Sequence, residues 1–247
     1  MPLCRSLFKQ MGLEFCPTLE KLYRTREAVG RSGKPFRLTG GLSTVNNLLT
    51  IRQLMLEIQP ERTLEIGMGC GGSALTFAAT HRDLKHTPCR QHMAIDGFQR
   101  SGFDDVGRLM LEEAGLNAYV EVREELSALA LPQMVQEGLT FQLVYIDGSH
   151  QFEALFCDFY FVRFLTATGG YVLFDDSSDF EVAKVVRFVR KNLTECFEPV
   201  PISHYRGETT TQRLKYAIAE ALYKTQLSIF RKVKDGERSG KRSLRNF

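Results

Sequence analysis

The stretch Glu65-Ile-Gly-Met-Gly-Cys-Gly-Gly-Ser73 decides the fold of this 247-residue chain. Residues 63–66 have the pattern of a short buried strand and residues 74–80 that of a helix, so the glycines form a strand-to-helix turn. Glycines in such a turn allow positive φ and let a ligand approach the backbone, while the first amides of the helix point at the bound group. The turn therefore predicts a site for a nucleotide-like ligand. Its candidate cofactor-binding residues are Gly67, Met68, Gly69, Gly71 and Ser73.

The chain around this turn alternates strand-like and helical segments. Apolar strand-like runs occupy residues 63–66, 92–95, 119–122, 141–146 and 171–174. Helical patterns occupy residues 44–58, 74–80, 104–114, 151–166 and 180–192. Strand-then-helix units of this kind predict an α/β domain whose parallel sheet is covered by helices on both faces. Ligands of such sheets bind at the carboxyl ends of the strands.

Acidic residues follow several of these strands. Asp96 ends the strand after the glycine turn, where a carboxylate can accept hydrogen bonds from both hydroxyls of a ribose. Alternatively, Asp96 initiates a turn before Gly97. Asp147 ends a later strand, and Asp175 and Asp176 end the one after it. All of these acids are expected at one edge of the sheet.

Three of these carboxylates, Asp147, Asp175 and Asp176, would repel one another unless a positive charge lies between them. A hard divalent cation such as Mg²⁺, which prefers oxygen ligands, meets this need. Alternatively, Asp147 begins a turn with Gly148, and Asp175 or Asp176 caps the following helix. The three acids are the candidate metal ligands.

Glu65 helps to separate two kinds of ligand for the glycine turn. The spacing of Gly67, Gly69 and Gly72 also fits the dinucleotide pattern G-x-G-x-x-G. An acid two residues before the first glycine would repel a pyrophosphate, whereas it suits a ligand with an amino group. With Glu65, the stretch resembles the S-adenosylmethionine loop of the class I methyltransferases, in which the acid and the glycines border the methionine moiety. The resemblance adds Glu65 to the candidate cofactor-binding residues.

The resemblance also implies a fold and a division of the chain. It implies a single Rossmann-like class I methyltransferase domain, with a mostly parallel seven-stranded sheet and helices on both faces, over residues 42–235. Residues 1–41 would form an N-terminal helical segment on the substrate side. Independently of the resemblance, the excess of basic side chains near the end of the chain predicts a basic disordered tail over residues 236–247, or alternatively a weak contact with an anionic partner.

Further site residues follow from the same resemblance. Asp147 would border S-adenosylmethionine as well as a metal. Glu124, Glu125 and Ser127 occupy the region that touches adenine in class I enzymes. Glu125 is the candidate, although the sequence does not decide among the three.

The two acidic strand ends resemble a second group of families. Val144-Tyr-Ile-Asp-Gly-Ser-His150 and Leu173-Phe-Asp-Asp-Ser-Ser178 are similar to the metal-dependent O-methyltransferases, both the catechol type and the macrolide or sugar type related to macrocin O-methyltransferase. Carried over, Asp147 and Asp176 would be the shared metal ligands, with Asp175 a third in the sugar type. Ser177 departs from the catechol type, which has Asn there. Ser149 departs from the sugar type, which has an acid thought to be the base.

His150 is the candidate general base. The string I-D-G-S-H of residues 146–150 is similar to a broad bacterial methyltransferase family that carries I-D-G-x-H at this point. A histidine titrates near neutral pH, which suits proton removal from an acceptor. Alternatively, His150 is a structural residue bonded to a carboxylate. The candidate catalytic residues are His150 and Asp147.

Composition excludes several other classes. No uncharged apolar run approaches a membrane span, and the first residues lack a secretory pattern. The six cysteines form no C-x-x-C pair, so we expect free thiols and a cytoplasmic location. Residues 231–247 hold seven basic and two acidic side chains, which leaves 25 basic and 27 acidic ones elsewhere and argues against a large nucleic-acid groove.

Together these patterns predict an S-adenosylmethionine-dependent methyltransferase that methylates a hydroxyl of a small molecule or a glycan, assisted by Mg²⁺ or another divalent cation. A homodimer is left open. The alternatives are a metal-independent methyltransferase with His150 as the base, an NAD-dependent oxidoreductase, and a protein that binds the cofactor without turnover.

Overall fold

The computed structural model describes residues 11–207, 209–236 and 243–247. Its helices are α1 (Pro17–Thr25), α2 (Val45–Ile58), α3 (Gly72–Asp83), α4 (Val106–Glu113), α5 (Ser127–Gln136), α6 (Phe152–Leu165), α7 (Phe180–Asn192) and α8 (Thr210–Ala221). Its strands are β1 (Glu27–Val29), β2 (Pro35–Arg37), β3 (Thr63–Ile66), β4 (His92–Ile95), β5 (Val120–Arg123), β6 (Phe141–Ile146), β7 (Thr166–Phe174), β8 (Phe197–Val200) and β9 (Ser228–Lys232). Short 3₁₀ helices occupy Asn117–Tyr119 and Ile202–His204. None of these helices has both the length and the apolar character needed to span a membrane.

The predicted sheet is confirmed. Within the described residues, seven strands form one sheet in the order β5-β4-β3-β6-β7-β9-β8, while β1 and β2 form a separate antiparallel hairpin. β3 pairs in parallel with β4 and β6, and β6 pairs in parallel with β7. β9 runs antiparallel to both β7 and β8. The sheet is therefore mostly parallel, and β9 is its reversed strand.

Helices cover both faces of the sheet. Every residue of β3 and β4 is buried, as expected for parallel strands that are enclosed on both sides. On one face the core contains Leu48 of α2, Phe77 of α3 and Tyr145 of β6. On the other face it contains Phe159 of α6 and Val185 of α7. This layering is that of a Rossmann-like α/β domain.

The strand order reverses between β3 and β6. After β3 the chain moves outward to β4 and β5, then returns to the other side of β3 and continues to β6 and β7. Open α/β sheets bind ligands outside the carboxyl ends of the strands at such a reversal. The glycine turn follows β3 and the acidic strand ends follow β6 and β7, so the fold brings them to this point.

One helix was not expected from the sequence. α5 lies between β5 and β6, where the pattern predicts neither helix nor strand, and it contains Pro132. Proline removes a backbone donor and normally interrupts the interior of a helix. Ala130, Leu131 and Met134 of α5 are buried. Their burial outweighs the local cost of the proline.

The N-terminal segment belongs to the core of the domain. Residues 1–10 lie outside the described residues. α1 ends before Arg26, whose backbone is left-handed at φ 54°, and the chain then forms the β1–β2 hairpin instead of continuing as a helix. Leu19 and Leu22 of α1 are buried in the same cluster as Leu48. The segment therefore has more structure than the single helical element expected over residues 1–41.

The predicted disordered tail lies partly outside the described residues, which omit 237–242. Its last residues contact α7. Lys191 Nζ donates to Asn246 O at 2.9 Å, and the Arg245 amide donates to Asn192 Oδ1 at 2.8 Å. The ring of Phe247 packs edge-on against Phe188. The end of the chain is thus associated with α7.

Candidate functional site

A cavity of about 630 Å³ opens at the carboxyl ends of β3, β4, β6 and β7. It is lined by the glycine turn, by the turn after β4 with the start of α5, and by the acidic rim after β6 and β7. The predicted site residues in this lining are Gly67, Met68, Gly69, Ser73, Asp96, Glu125, Asp147, His150, Asp175 and Asp176. Glu65 and Gly71 are not part of the lining.

The glycines of the turn are needed for close backbone packing. Gly67 has φ 87°, and a Cβ there would lie 2.1 Å from the carbonyl oxygen of Asp147. Gly69 has φ 52°, and a Cβ there would lie 2.6 Å from the carbonyl oxygen of Gly41. Side chains rarely adopt these φ values and would collide with backbone at both positions. The turn is therefore held between the end of β6 and the segment before α2.

Asp96 ties the glycine turn to the end of β4. Its Oδ2 accepts from the amides of Met68 at 3.1 Å and Gly69 at 2.8 Å, and from Gln99 Nε2 at 2.9 Å. Its Oδ1 accepts from the amide of Phe98 at 2.8 Å. One oxygen is therefore filled by protein donors, and Oδ1 retains capacity for a ligand hydroxyl.

Of the three residues predicted to lie near adenine, two line the third side of the cavity. Glu125 and Ser127 line the cavity, together with the apolar Leu126. Glu124 is instead paired with Arg108 Nη2 at 3.1 Å and with Arg100 Nε at 3.2 Å, outside the lining. Glu125 and Ser127 thus remain as candidates.

Glu65, which was predicted to border the cofactor, does not line the cavity. It is fully buried, and its Oε1 lies 3.1 Å from Nε2 of His92, which is also fully buried. His92 stacks on Phe77 of α3 with ring centroids 4.3 Å apart. Its Nδ1 lies 2.9 Å from Thr63 Oγ1, which in turn is 2.9 Å from Nε2 of His81. Glu65 therefore belongs to a buried polar network under α3.

Asp147, His150 and Asp176 meet at the rim of the cavity. One ligand atom of each lies within 4.8 Å of the others. His150 Nε2 is 3.3 Å from Asp176 Oδ2, and His150 Nδ1 is 3.0 Å from Asp179 Oδ2. The histidine side chain is 43% exposed and is accessible from the cavity. Two carboxylates and an imidazole in this arrangement could hold a divalent cation.

Asp175, the third predicted metal ligand, lines the cavity but is not a member of this cluster. It is 4% exposed. Its Oδ1 accepts from the Asp176 amide at 2.8 Å and from Asn47 Nδ2, while its Oδ2 accepts from the Tyr145 hydroxyl. Both acids follow β7 in a turn, in which Asp176 has a left-handed backbone with φ 45°. His150 lies beside Asp147 and Asp176 in the cluster.

The rim concentrates negative charge. Burial, together with the charge of Asp175, raises the pKa of Asp147 well above its ordinary value. Burial also raises the pKa of Asp175 to about 6. The pKa of Asp176 is raised by burial, and His150 opposes that rise. A bound cation would neutralise this excess of negative charge.

Several contacting residues were missed by the sequence analysis. Ser43, just before α2, donates from Oγ to Asp147 Oδ2 at 2.9 Å. Gln99 Nε2 donates to Gly69 O at 2.7 Å. Tyr145 lies in β6, two residues before Asp147. Its hydroxyl was the one feature of the sequence that pointed to these contacts. Ser43 and Asn47 reach the site only through tertiary folding.

A family model described as a methyltransferase domain matches residues 64–177. This range begins in β3 and ends just after the acidic end of β7, so it contains the glycine turn and both rim segments. No curated protein matches the sequence significantly.

Solved structures show the same fold at low sequence identity. An O-methyltransferase from Bacillus cereus in complex with S-adenosylhomocysteine (SAH) is 20% identical, with a TM-score of 0.58 over 79% of this chain and 85% of that one. TomG from Streptomyces achromogenes, an O-methyltransferase involved in tomaymycin synthesis, in complex with S-adenosylmethionine (SAM), is 16% identical, with a TM-score of 0.58 over 92% and 91%. CalS11, a TDP-rhamnose 3'-O-methyltransferase in calicheamicin biosynthesis, solved without ligand, is 16% identical, with a TM-score of 0.53 over 75% and 77%.

The family match, the sheet order and the cavity beside the glycine turn agree with one another. They do not support the alternative of an NAD-dependent oxidoreductase, because the matched family is a methyltransferase domain. Residues 64–177 therefore match a methyltransferase domain, and the chain has the fold of the SAM- and SAH-bound O-methyltransferases named above.

Proposed function

We propose that this enzyme transfers the methyl group of SAM to a hydroxyl oxygen of a small molecule or a sugar, assisted by a divalent cation. The observation that carries the proposal is the cluster of Asp147, His150 and Asp176 at the cavity rim. The solved structures named above are O-methyltransferases, and the name of one specifies a sugar nucleotide. Both supports favour a hydroxyl acceptor.

The cofactor would extend along the cavity from the glycine turn to the start of α5. Its methionine end would lie against Gly69 and Ser73, where the N-terminus of α3 favours a carboxylate. Asp96 Oδ1 would accept from the ribose, and Glu125 would border the adenine. This orientation directs the methyl group toward the rim and Asp147.

The rim suits a divalent cation chemically. Asp147 and Asp176 offer carboxylate oxygens, the ligands that Mg²⁺ prefers, and the negative charge of the rim favours a cation. A cation bound there would lower the pKa of a substrate hydroxyl that contacts it and would fix its orientation. Asp147 and Asp176 are the residues proposed to hold it.

His150 is proposed as the general base. Its Nδ1 lies 3.0 Å from Asp179 Oδ2, so a proton on Nδ1 donates to Asp179 and leaves Nε2 able to accept one. The proton of the acceptor hydroxyl moves to Nε2 as the oxygen forms a bond to the methyl carbon. The carbon–sulfur bond breaks, its electron pair stays on sulfur, and SAH leaves as a neutral thioether. In-line displacement of this kind depends chiefly on alignment.

A metal-independent version of this reaction is the second candidate. The observation that favours it is the His150–Asp179 pair, which orients the base without any cation. The two versions differ in one measurable respect. Chelation of divalent cations abolishes the activity of the cation-assisted version and leaves the activity of the metal-independent version intact.

A cytoplasmic location is part of the proposal. The described cysteines Cys16, Cys70, Cys89, Cys157 and Cys196 are free thiols, which suits a reducing compartment.

The proposed function is tested with labelled SAM and a panel of acceptors that contains a catechol, a nucleoside-diphosphate sugar, a simple alcohol and an amine. Each acceptor is assayed with Mg²⁺ and again in excess chelator, and NMR locates the new methyl group. We expect O-methylation that requires the cation. Methylation of the amine alone would overturn the hydroxyl assignment, and full activity in chelator would overturn the cation.

A further inference from the structure

A continuous series of polar contacts runs from Arg206, on the segment after β8, to Asp147 in the site. Arg206 is distant in sequence from the residues it contacts on α2. Its Nε donates to Thr50 Oγ1 at 3.1 Å, and its Nη2 donates to Asn47 Oδ1. Asn47 is fully buried and Thr50 nearly so.

The contact with Arg206 fixes which end of the Asn47 amide faces the site. A guanidinium has donors and no acceptor, so the Asn47 oxygen must face Arg206. The amide nitrogen then points the other way, and it donates to Asp175 Oδ1. An arginine fork holds its partner in a defined plane, which a flexible ammonium does not.

The series continues from Asp175 to Asp147. Asp175 Oδ2 accepts from the Tyr145 hydroxyl, whose oxygen lies 2.9 Å from Ser43 Oγ and 3.4 Å from Asp147 Oδ2. Ser43 Oγ donates to the same Asp147 Oδ2 at 2.9 Å. Asp147 Oδ2 is therefore held by Ser43 and lies beside the Tyr145 hydroxyl.

We propose that Arg206, Asn47 and Tyr145 are positioning residues for methyl transfer, because together they lock Asp175 and thereby orient the Asp147 carboxylate toward the cavity. The proposal rests on the proposed function of Asp147. It assigns to Asp175 the role of an internal anchor. It also gives the segment after β8, which lies outside the range matched by the family model, a part in the site.

The charge of Arg206 supports this role for Asp175. Asp175 is buried, and a buried carboxylate is costly unless donors and a positive charge compensate it. Arg206 supplies that charge through Asn47 without occupying the cavity, so the compensation does not compete with a bound cation. A lysine at position 206 would keep the charge but lose the two-point contact with Asn47 and Thr50.

The test compares Tyr145→Phe, Arg206→Met and Arg206→Lys with the parent. Arg213→Met is the control, because Arg213 is exposed and its Nε donates to Gly207 O on the same segment. For each protein, calorimetry measures the Kd of Mg²⁺ on the SAH complex, steady-state assays measure kcat and the KM for SAM, and thermal unfolding checks the fold. The Mg²⁺ titration needs no acceptor, so it remains informative if the acceptor class is wrong.

Tyr145→Phe and Arg206→Met should each raise the Kd of Mg²⁺ about tenfold and lower kcat about tenfold or more, with KM for SAM within about threefold of the parent. Arg206→Lys should recover part of both losses, and Arg213→Met should match the parent. Parent-like Kd and kcat in Tyr145→Phe would overturn the proposal. The proposal would also be overturned if the losses of Mg²⁺ affinity and kcat disappeared after correction for the fraction of folded protein. Such a result would indicate that these residues have only a structural role. Absence of Mg²⁺ binding in the parent would instead contradict the proposed function, and kcat would then carry the test.

Discussion

His150 is held by Asp179, whose Oδ2 lies 3.0 Å from the imidazole Nδ1. The pair connects the turn after β6 to the residue just before α7. It leaves Nε2 on the side of Asp176 and the cavity. A base oriented by a second group in this way is a common arrangement for proton removal.

Replacement of His150 by Gln should therefore slow methyl transfer. Gln keeps a polar side chain of similar reach but accepts no proton at neutral pH, so the rate should fall on the order of 10²-fold or more. SAM affinity, measured by calorimetry, should stay near that of the parent. Asp179→Asn should lower the rate less, because the base remains. His204→Gln is the matched control, since His204 is exposed and does not line the cavity. Unchanged turnover in His150→Gln would exclude the histidine as the base.

Substitutions of the three acidic residues should distinguish the cation ligands, Asp147 and Asp176, from the internal anchor, Asp175. Asp147→Asn and Asp176→Asn should each weaken Mg²⁺ binding by about tenfold or more, because each removes a charged oxygen ligand. Asp175→Asn should weaken Mg²⁺ binding less than either of these changes, and it should also lower the free energy of unfolding by about 1–3 kcal/mol, because an amide NH2 replaces one of the two oxygens that accept from buried donors. Glu61→Gln is the control, because Glu61 is exposed and precedes β3, away from the carboxyl ends of the strands. Mg²⁺ affinity that falls most in Asp175→Asn would reverse this assignment.

Gly69 should tolerate no side chain. In Gly69→Ala the added Cβ would meet the Gly41 carbonyl at 2.6 Å in a backbone with φ 52°, so the glycine turn must shift. We expect a loss of about 1–3 kcal/mol of stability, as for other strained backbone positions, together with weaker SAM binding. Gly40→Ala is the control because nothing lies within 4 Å of its added Cβ. Parent-like SAM affinity in Gly69→Ala would remove this turn from the cofactor site.

The buried network under α3 should make the fold sensitive to acid. Burial, with help from the neighbouring His92 and His86, lowers the pKa of His81 to about 3. The folded pKa is below the unfolded value of about 6.5, so this contribution to stability is complete above pH 6.5 and is lost as the pH falls toward 3. Between pH 7 and 5 the parent should lose about 2 kcal/mol from this group, and His81→Gln should not. Chemical denaturation at both pH values measures the difference, and an equal loss in the two proteins would contradict it.

The sequence predicted the sheet well because its strands are buried on both faces and show as apolar runs. It also predicted the acidic rim, because the carboxyl ends of parallel strands necessarily meet. It could not predict that buried donors hold Asp175, since these donors, Asn47 and Tyr145, come from α2 and β6. The sequence analysis missed α5 because Pro132 argues against a helix there, whereas tertiary packing stabilises one.

The place of the Glu65 side chain is decided by a residue on a neighbouring strand. Its position before the glycines fits a cofactor contact, yet its side chain points under α3. The partner that decides this is His92, on the neighbouring strand β4, and register between strands is a tertiary property.

The most direct test of the central claim is a calorimetric titration of the unmodified enzyme with SAH, followed by the same titration with NAD⁺. We expect one SAH site per chain and no heat from NAD⁺. Absence of SAH binding, or tighter binding of NAD⁺, would contradict the assignment of this cavity to the methyl donor.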